Sequence, residues 1–207
     1  EQYAVSPNGE LAAYVLRGDL YVMRTNEDDN KAVRLTEGAA RDRDVTWLDD
    51  NTLLFVSDRA GQNDLYRLSS ADAETANLFV TLKHQIQRVT ETSEEEFGPV
   101  VAPDGKRVAF RQGRGRLLTA RISDDGKLRD LEVLLDGWDT PAGISWSPDS
   151  RWLAYSLSDL TFNEEVYIHA ADNSQPPVNV SMHPKRDSNP VWSPDGSKLG
   201  FISYRNN

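Results

Sequence analysis

Apolar and polar residues alternate in short runs along almost the whole chain. Leu11–Leu16, Leu53–Ser57, Arg107–Arg111, Trp152–Leu157 and Leu199–Ser203 each read as a strand with one or both faces buried. Each run follows the same kind of turn. Val5-Ser6-Pro7-Asn8-Gly9 returns as Val101-Ala102-Pro103-Asp104-Gly105, as Trp146-Ser147-Pro148-Asp149-Ser150 and as Trp192-Ser193-Pro194-Asp195-Gly196, with Trp47-Leu48-Asp49-Asp50-Asn51 a degraded copy. Pro fixes φ, and Gly, Asn or Ser at the end tolerates or caps the turn. A second strand carries an apolar-Tyr pair: Asp19-Leu20-Tyr21, Asp64-Leu65-Tyr66 and Glu165-Val166-Tyr167. A short closing strand ends at Arg34-Leu35-Thr36, Arg88-Val89-Thr90 or Asn179-Val180-Ser181. No segment keeps a helical period over more than about two turns. Thr75–His84 comes nearest, but Phe79-Val80-Thr81-Leu82 predicts a strand there, and the surplus length of the second unit is assigned to a loop around Ser69–Ala76.

The unit recurs with a period of about 40–50 residues, the range of propeller blades. A lone four-stranded sheet cannot bury both apolar faces, whereas sheets stacked radially can. The expected fold is therefore all-β, a β-propeller of four-stranded antiparallel blades. A sandwich competes, but it would not require the same turn text in every unit. The blades are expected near 1–41, 42–93, 94–138, 139–186 and 187–207, the last incomplete. A closed ring of six or seven blades needs on the order of 280–330 residues. The 207 residues are thus expected to be about four and a half blades of a larger ring, with missing blades or a second copy packing on the open ends. Trp47, Trp146 and Trp192 share one repeat position and Tyr21, Tyr66 and Tyr167 another; both sets are expected to pack between blades.

These residues resemble the TolB-type, WD40-like propeller repeat, which joins a Trp-Ser-Pro-Asp-Gly turn, an apolar strand, a Ser-Asp-Arg-Gly turn and an Asp-Leu-Tyr strand. Ser57-Asp58-Arg59-Ala60-Gly61 followed by Asp64-Leu65-Tyr66 is a close match, and Ser203-Tyr204-Arg205-Asn206 begins another. A narrower resemblance is to bacterial tricorn-type serine proteases. It is carried by Ala4–Gly9, Arg17-Gly18-Asp19-Leu20-Tyr21-Val22, Arg34-Leu35-Thr36, Thr90-Glu91-Thr92, Phe97-Gly98-Pro99 and Ser188-Asn189-Pro190-Val191-Trp192. The resemblance implies a non-catalytic propeller that binds or guides peptides for a larger peptidase, in a periplasmic or secreted bacterial protein. A TolB-like interaction module of an envelope transport complex, or the propeller lid of a prolyl-oligopeptidase-type hydrolase, would share most of these residues. The match departs from the pattern at Asp49-Asp50-Asn51, at Ser150, and at Arg116-Leu117-Leu118-Thr119 in the third unit, where an irregular blade is expected.

Composition narrows the partners. Thirty-three Asp and Glu against 23 Lys and Arg give a net charge of −10, which argues against nucleic acid and anionic lipid. No apolar run is long enough to span a bilayer. The chain has no Cys, which excludes thiol chemistry and Cys-type zinc sites. His84, His169 and His183 share no repeat position or metal-ligand spacing and are expected at the surface or rim. Gly143-Ile144-Ser145-Trp146-Ser147 lacks the second Gly of a nucleophile elbow. Gly113-Arg114-Gly115-Arg116 fits neither phosphate-binding loop and reads as a strand-to-strand turn. The acidic pairs and triplets at Glu27-Asp28-Asp29 and Asp124-Asp125 read as solvated turns rather than calcium loops.

No catalytic residue, cofactor or metal is therefore expected. Charge recurs just ahead of, or at the start of, each innermost strand, at Arg43-Asp44, Glu94-Glu95-Glu96, Trp138-Asp139-Thr140 and Asp187-Ser188. Innermost strands line a propeller's channel and its mouth. Arg43, Asp44, Glu95, Glu96, Asp187 and the aromatic Trp138 are accordingly the candidates for holding a peptide or protein ligand.

Overall fold

A computed structural model describes residues 3–26, 31–123 and 125–204. Glu27-Asp28-Asp29, Asp124 and Arg205-Asn206 lie outside the described residues. Two compact units are present: Glu1–Pro99 with Asp124–Lys127, and Val100–Ser123 with Leu128–Asn207. Among the described residues the structure is all strand and turn, built from the four-stranded antiparallel blades of a β-propeller.

In the first unit, β1 (Tyr3–Val5), β2 (Leu11–Leu16), β3 (Asp19–Arg24) and β4 (Ala32–Arg34) form one sheet in chain order. A second sheet holds β5 (Asp42–Asp49), β6 (Thr52–Ser57), β7 (Asp64–Ser70) and β8 (His84–Arg88). Then β9 (Glu96–Val101) joins β10 (Arg107–Gln112), β11 (Arg116–Ile122) and β12 (Leu128–Asp136) in a third. In the second unit, β13 (Ala142–Trp146), β14 (Trp152–Ser158), β15 (Glu164–Ala170) and β16 (Val178–Asn179) make a fourth, and β17 (Asp187–Trp192) pairs with β18 (Leu199–Ser203). In the third sheet β12 is the longest strand, and the β11–β12 ladder slips register twice, as the β5–β6 ladder also does.

Burial follows the alternation of the sequence. Leu11, Ala13, Leu20 and Val22 meet Val45, Trp47, Leu53, Phe55 and Leu68 in the core of the first unit. Ala109, Leu117, Trp146, Leu153 and Tyr155 do the same in the second. All six residues of β6 are buried, as expected of a central strand covered on both faces.

Three bonds recur from blade to blade and explain the repeated text. First, the Ser-Pro-Asp turn closes on itself. The Ser6, Ser147 and Ser193 hydroxyls donate to Asn8, Asp149 and Asp195 while accepting the backbone N–H of Leu11, Trp152 and Lys198. The Ser147 hydroxyl and the Arg151 guanidinium hold the Asp149 carboxyl down at about 2; the Ser193 hydroxyl and the Ser197 N–H do the same for Asp195, also to about 2. The turn ends at positive φ, which Gly9, Gly105 and Gly196 adopt freely and Ser150 adopts at φ 58°. Second, the closing Thr or Ser accepts the N–H that follows the acidic residue of the third strand. Leu20 donates to Thr36, Leu65 to Thr90 and Val166 to Ser181. Third, the indole N–H of Trp47 donates to the Ala4 carbonyl at 3.0 Å, and that of Trp146 to Val100 at 2.9 Å, so each tryptophan ties its inner strand to that of the preceding sheet.

Tyr66 joins residues of the first sheet in one core cluster and Tyr167 packs against a cluster that includes the third sheet, while Tyr21, Tyr66 and Tyr167 also stand directly across from Tyr14, Phe55 and Tyr155, with ring centroids 5.5 to 6.0 Å apart. Two expectations are corrected. Phe79-Val80-Thr81-Leu82 is a turn, not a strand. The Asn77 side chain accepts the Phe79 N–H and its carbonyl accepts those of Val80 and Thr81, which replaces ladder bonds with local ones. The extra length of this unit therefore sits at 71–83, and it buries Leu78 in the first unit's core. His169 is buried rather than at the rim. Its Nδ1 meets the Tyr155 hydroxyl and its Nε2 the Asn173 side chain, each at 3.2 Å.

Two outcomes follow. Thr90 accepts from Leu65 and donates to buried Glu96, so Thr90→Val strands both partners and should cost about 1–3 kcal/mol in urea denaturation. A midpoint within a few tenths of a kcal/mol of wild type would refute the role. Burial pushes the His169 pKa below its ordinary value, so the folded chain resists protonation that the unfolded chain accepts below about pH 6.5. Stability should fall as pH drops through that value, and His169→Gln should flatten the fall between about pH 7.5 and 5.5; equal slopes for the two proteins would contradict this.

Candidate functional site

Each innermost strand needs an anchor where it leaves the turn of the preceding blade. The Asp42 N–H donates to Gly18 and the Glu96 N–H to Asn63, each at 2.8 Å. Asp42, Glu96 and Asp187 all stand five positions before the Trp47, Val101 and Trp192 position, and all three are fully buried. A buried carboxylate persists only when its oxygens are satisfied. Arg59 reaches Asp42 at 2.7 Å while its Nε donates to Ser57, and the same guanidinium lies over the rings of Phe55 and Tyr66. Glu96 accepts the hydroxyls of Thr90 at 2.8 Å and Thr92 at 2.6 Å. Glu96 and Asp187, both candidates from the sequence, thus sit inside the blades at a shared repeat position. The constant offset from the turn was the signal that marks them.

The other candidates of the first unit lie at its surface. Arg43 and Asp44 are half-buried and line a cleft of about 830 Å³ with the β2–β3 turn at Leu16-Arg17-Gly18 and the loop at Gly38-Ala39-Ala40. The Arg43 guanidinium lies 5.0 Å from the Phe97 ring centre, and its Nε is buried with no hydrogen-bond partner. Asp44 takes φ 52° and accepts the Gly98 N–H at 2.9 Å, which ties β5 to β9. Glu95 is exposed and accepts the Asn63 amide at 2.7 Å, while Gln62 beside it donates to the carbonyls of Thr92 and Glu94. The structure therefore gathers Arg43 and Asp44 at the cleft and sets Glu95 on the loop that precedes β9.

In the second unit, Trp138 is partly exposed and meets the Phe162 ring edge-on at 5.4 Å. Phe162 and its neighbour Leu160 drew no attention in the sequence, because an apolar residue in a turn carries no periodicity. Asp139 accepts the Ser158 N–H at 2.9 Å. His183 serves the backbone here: its N–H faces Glu165 and its Nδ1 accepts the Lys185 N–H. Among the described residues, no three His, Asp or Glu side chains gather as metal ligands, and no helix is long and apolar enough to cross a membrane.

No family model matches the chain. Over 203 residues it is 26% identical to Tricorn protease homolog 1 of Streptomyces coelicolor, covering 94% of this chain and 17% of that protein. Over 160 residues it is 24% identical to the TolB homolog of Chlorobium luteolum, covering 75% of this chain and 32% of that one. The chain thus spans well under half the length of these curated relatives. A TolB-type structure from Agrobacterium tumefaciens superposes with a TM-score of 0.71 at 21% identity, covering 99% of this chain and 69% of the other. The crystal structure of tricorn protease superposes with a TM-score of 0.75 at 18% identity, covering 100% and 19%. The chain is a β-propeller that is similar in sequence and fold to TolB and to tricorn protease.

Proposed function

We propose that this propeller is a non-catalytic scaffold that receives an extended peptide or protein segment, and that it serves a larger serine peptidase of the tricorn type in the periplasm or outside the cell. The observation that carries the reading is the cleft at Arg43 and Asp44. It holds about 830 Å³ and is bordered by glycine and alanine backbone and by arginine side chains. Backbone N–H and C=O groups together with the side chains of Arg17, Arg41 and Arg43 suit a main-chain ligand more than a small metabolite. The likeness to Tricorn protease homolog 1 along nearly the whole chain supports the peptidase context. A second reading, a TolB-like interaction module of an envelope complex, is favoured by the coverage of the Agrobacterium structure. Both readings place a polypeptide at the same surface.

The test is fluorescence anisotropy of a labelled library of random extended peptides against the whole chain. Arg43→Gln should weaken binding about tenfold, and Glu95→Gln should change it less and in a salt-dependent way, with thermal stability close to wild type in both. Unchanged affinity in Arg43→Gln, or no binding of any peptide, would overturn the reading.

A further inference from the structure

The β6–β7 turn (58–63) and the β14–β15 turn (159–163) close with the same bond, Gly61 N–H to Asp58 in one and Phe162 N–H to Asp159 in the other. Aligned on that bond, Arg59 stands opposite Leu160 and Gly61 opposite Phe162. Gly61 takes φ 98°, and Phe162 takes φ 63°, a left-handed conformation that a bulky side chain adopts only under strain. The fourth blade has lost both halves of the Asp42–Arg59 ion pair at once, since Pro141 occupies the place of Asp42 and Leu160 that of Arg59. What these changes leave is apolar and outward: Leu160 is 86% exposed, Phe162 81% and Trp138 45%, with Trp138 against Phe162 and bordering a small pocket of about 100 Å³.

Glu164 and Asp136 beside this patch are matched by Arg186 and Arg116. Among the described residues, Asp139 and Asp159 make no salt bridge and instead accept local hydrogen bonds. Burial works against the Asp139 carboxylate, but hydrogen bonds from Ser158 and the charge of Arg114 hold it below the ordinary range; the Thr161 hydroxyl does the same for Asp159. Two ionised carboxylates therefore flank three exposed apolar side chains, a surface complementary to a bulky apolar residue with a basic neighbour.

We propose that Trp138, Leu160 and Phe162 anchor a large apolar side chain of an extended peptide, and that Asp139 and Asp159 select basic residues beside it. This rests on the peptide-binding reading above and names the class of sequence it prefers.

The experiment measures affinity of the whole chain for three labelled peptides: an aromatic residue flanked by Lys and Arg, the same aromatic flanked by Glu, and Ser flanked by Lys and Arg. The first should bind at least tenfold tighter than either other. Phe162→Gly and Trp138→Ala should each abolish that preference. Phe162→Gly restores the residue type of the second blade's turn, so its melting temperature should equal or exceed wild type, which separates lost binding from lost folding. If peptides bind without this preference, or both variants keep it, the anchor is refuted while the cleft at Arg43 stands. If no peptide binds, both readings fall. If sedimentation shows wild-type self-association that Phe162→Gly removes, the patch is a contact between copies and the proposal is overturned.

Discussion

A small antiparallel sheet with apolar residues on its inner positions cannot stand alone in water, and this requirement organises the chain. It dictates that each blade lie against another, and the contact is made specific by polar groups at the edges of the apolar surface. Trp47 and Trp146 show how. Each indole supplies a large buried face and spends its single N–H on a carbonyl of the preceding inner strand. The direction of that bond sets where the neighbouring strand must lie, which hydrophobic burial, being non-directional, cannot do. The buried carboxylates Asp42 and Glu96 act at the start of the inner strands β5 and β9. Their backbone N–H groups bond to the previous blade while their side chains are held by Arg59 or by Thr90 and Thr92.

The blade plan was legible because it is written in local chemistry. Ser147-Pro148-Asp149-Ser150 needs only its own side chains to close its turn, so the text repeats wherever the turn does. The Thr and Ser residues that end each blade were visible as a pattern, but their reason, an acceptor for Leu20, Leu65 and Val166, depends on a strand many residues earlier. The candidate site was harder to read. Charge near the inner strands reads as one class in the sequence, whereas Glu96 and Asp187 are buried and Glu95 is in solvent. A carboxylate in a sequence does not declare whether a partner awaits it. Phe79–Leu82 shows the opposite failure: β-branched and aromatic residues satisfy strand propensity, yet Asn77 captures the backbone first.

The fourth blade illustrates how coupled such positions are. An Arg at position 160 without an acid at 141 would lose its partner, and an acid at 141 without the Arg would be a buried charge alone. Pro141 is buried and Leu160 is exposed, so neither leaves an unmet charge. The remaining bonds of that blade are intact. Val166 still donates to Ser181, Glu165 still meets the Ser181 hydroxyl, and Tyr155 still stacks on Tyr167.

That redundancy has an evolutionary meaning. When the same scaffold is written several times in one chain and each copy leans chiefly on its neighbours, damage to one copy stays local. A repeat can then differ at a structural residue and carry other surface chemistry while the remaining blades keep their own geometry. Gly61 and Phe162 close two copies of one turn at positive φ, and the copy that carries a bulky side chain there sets an aromatic ring in solvent.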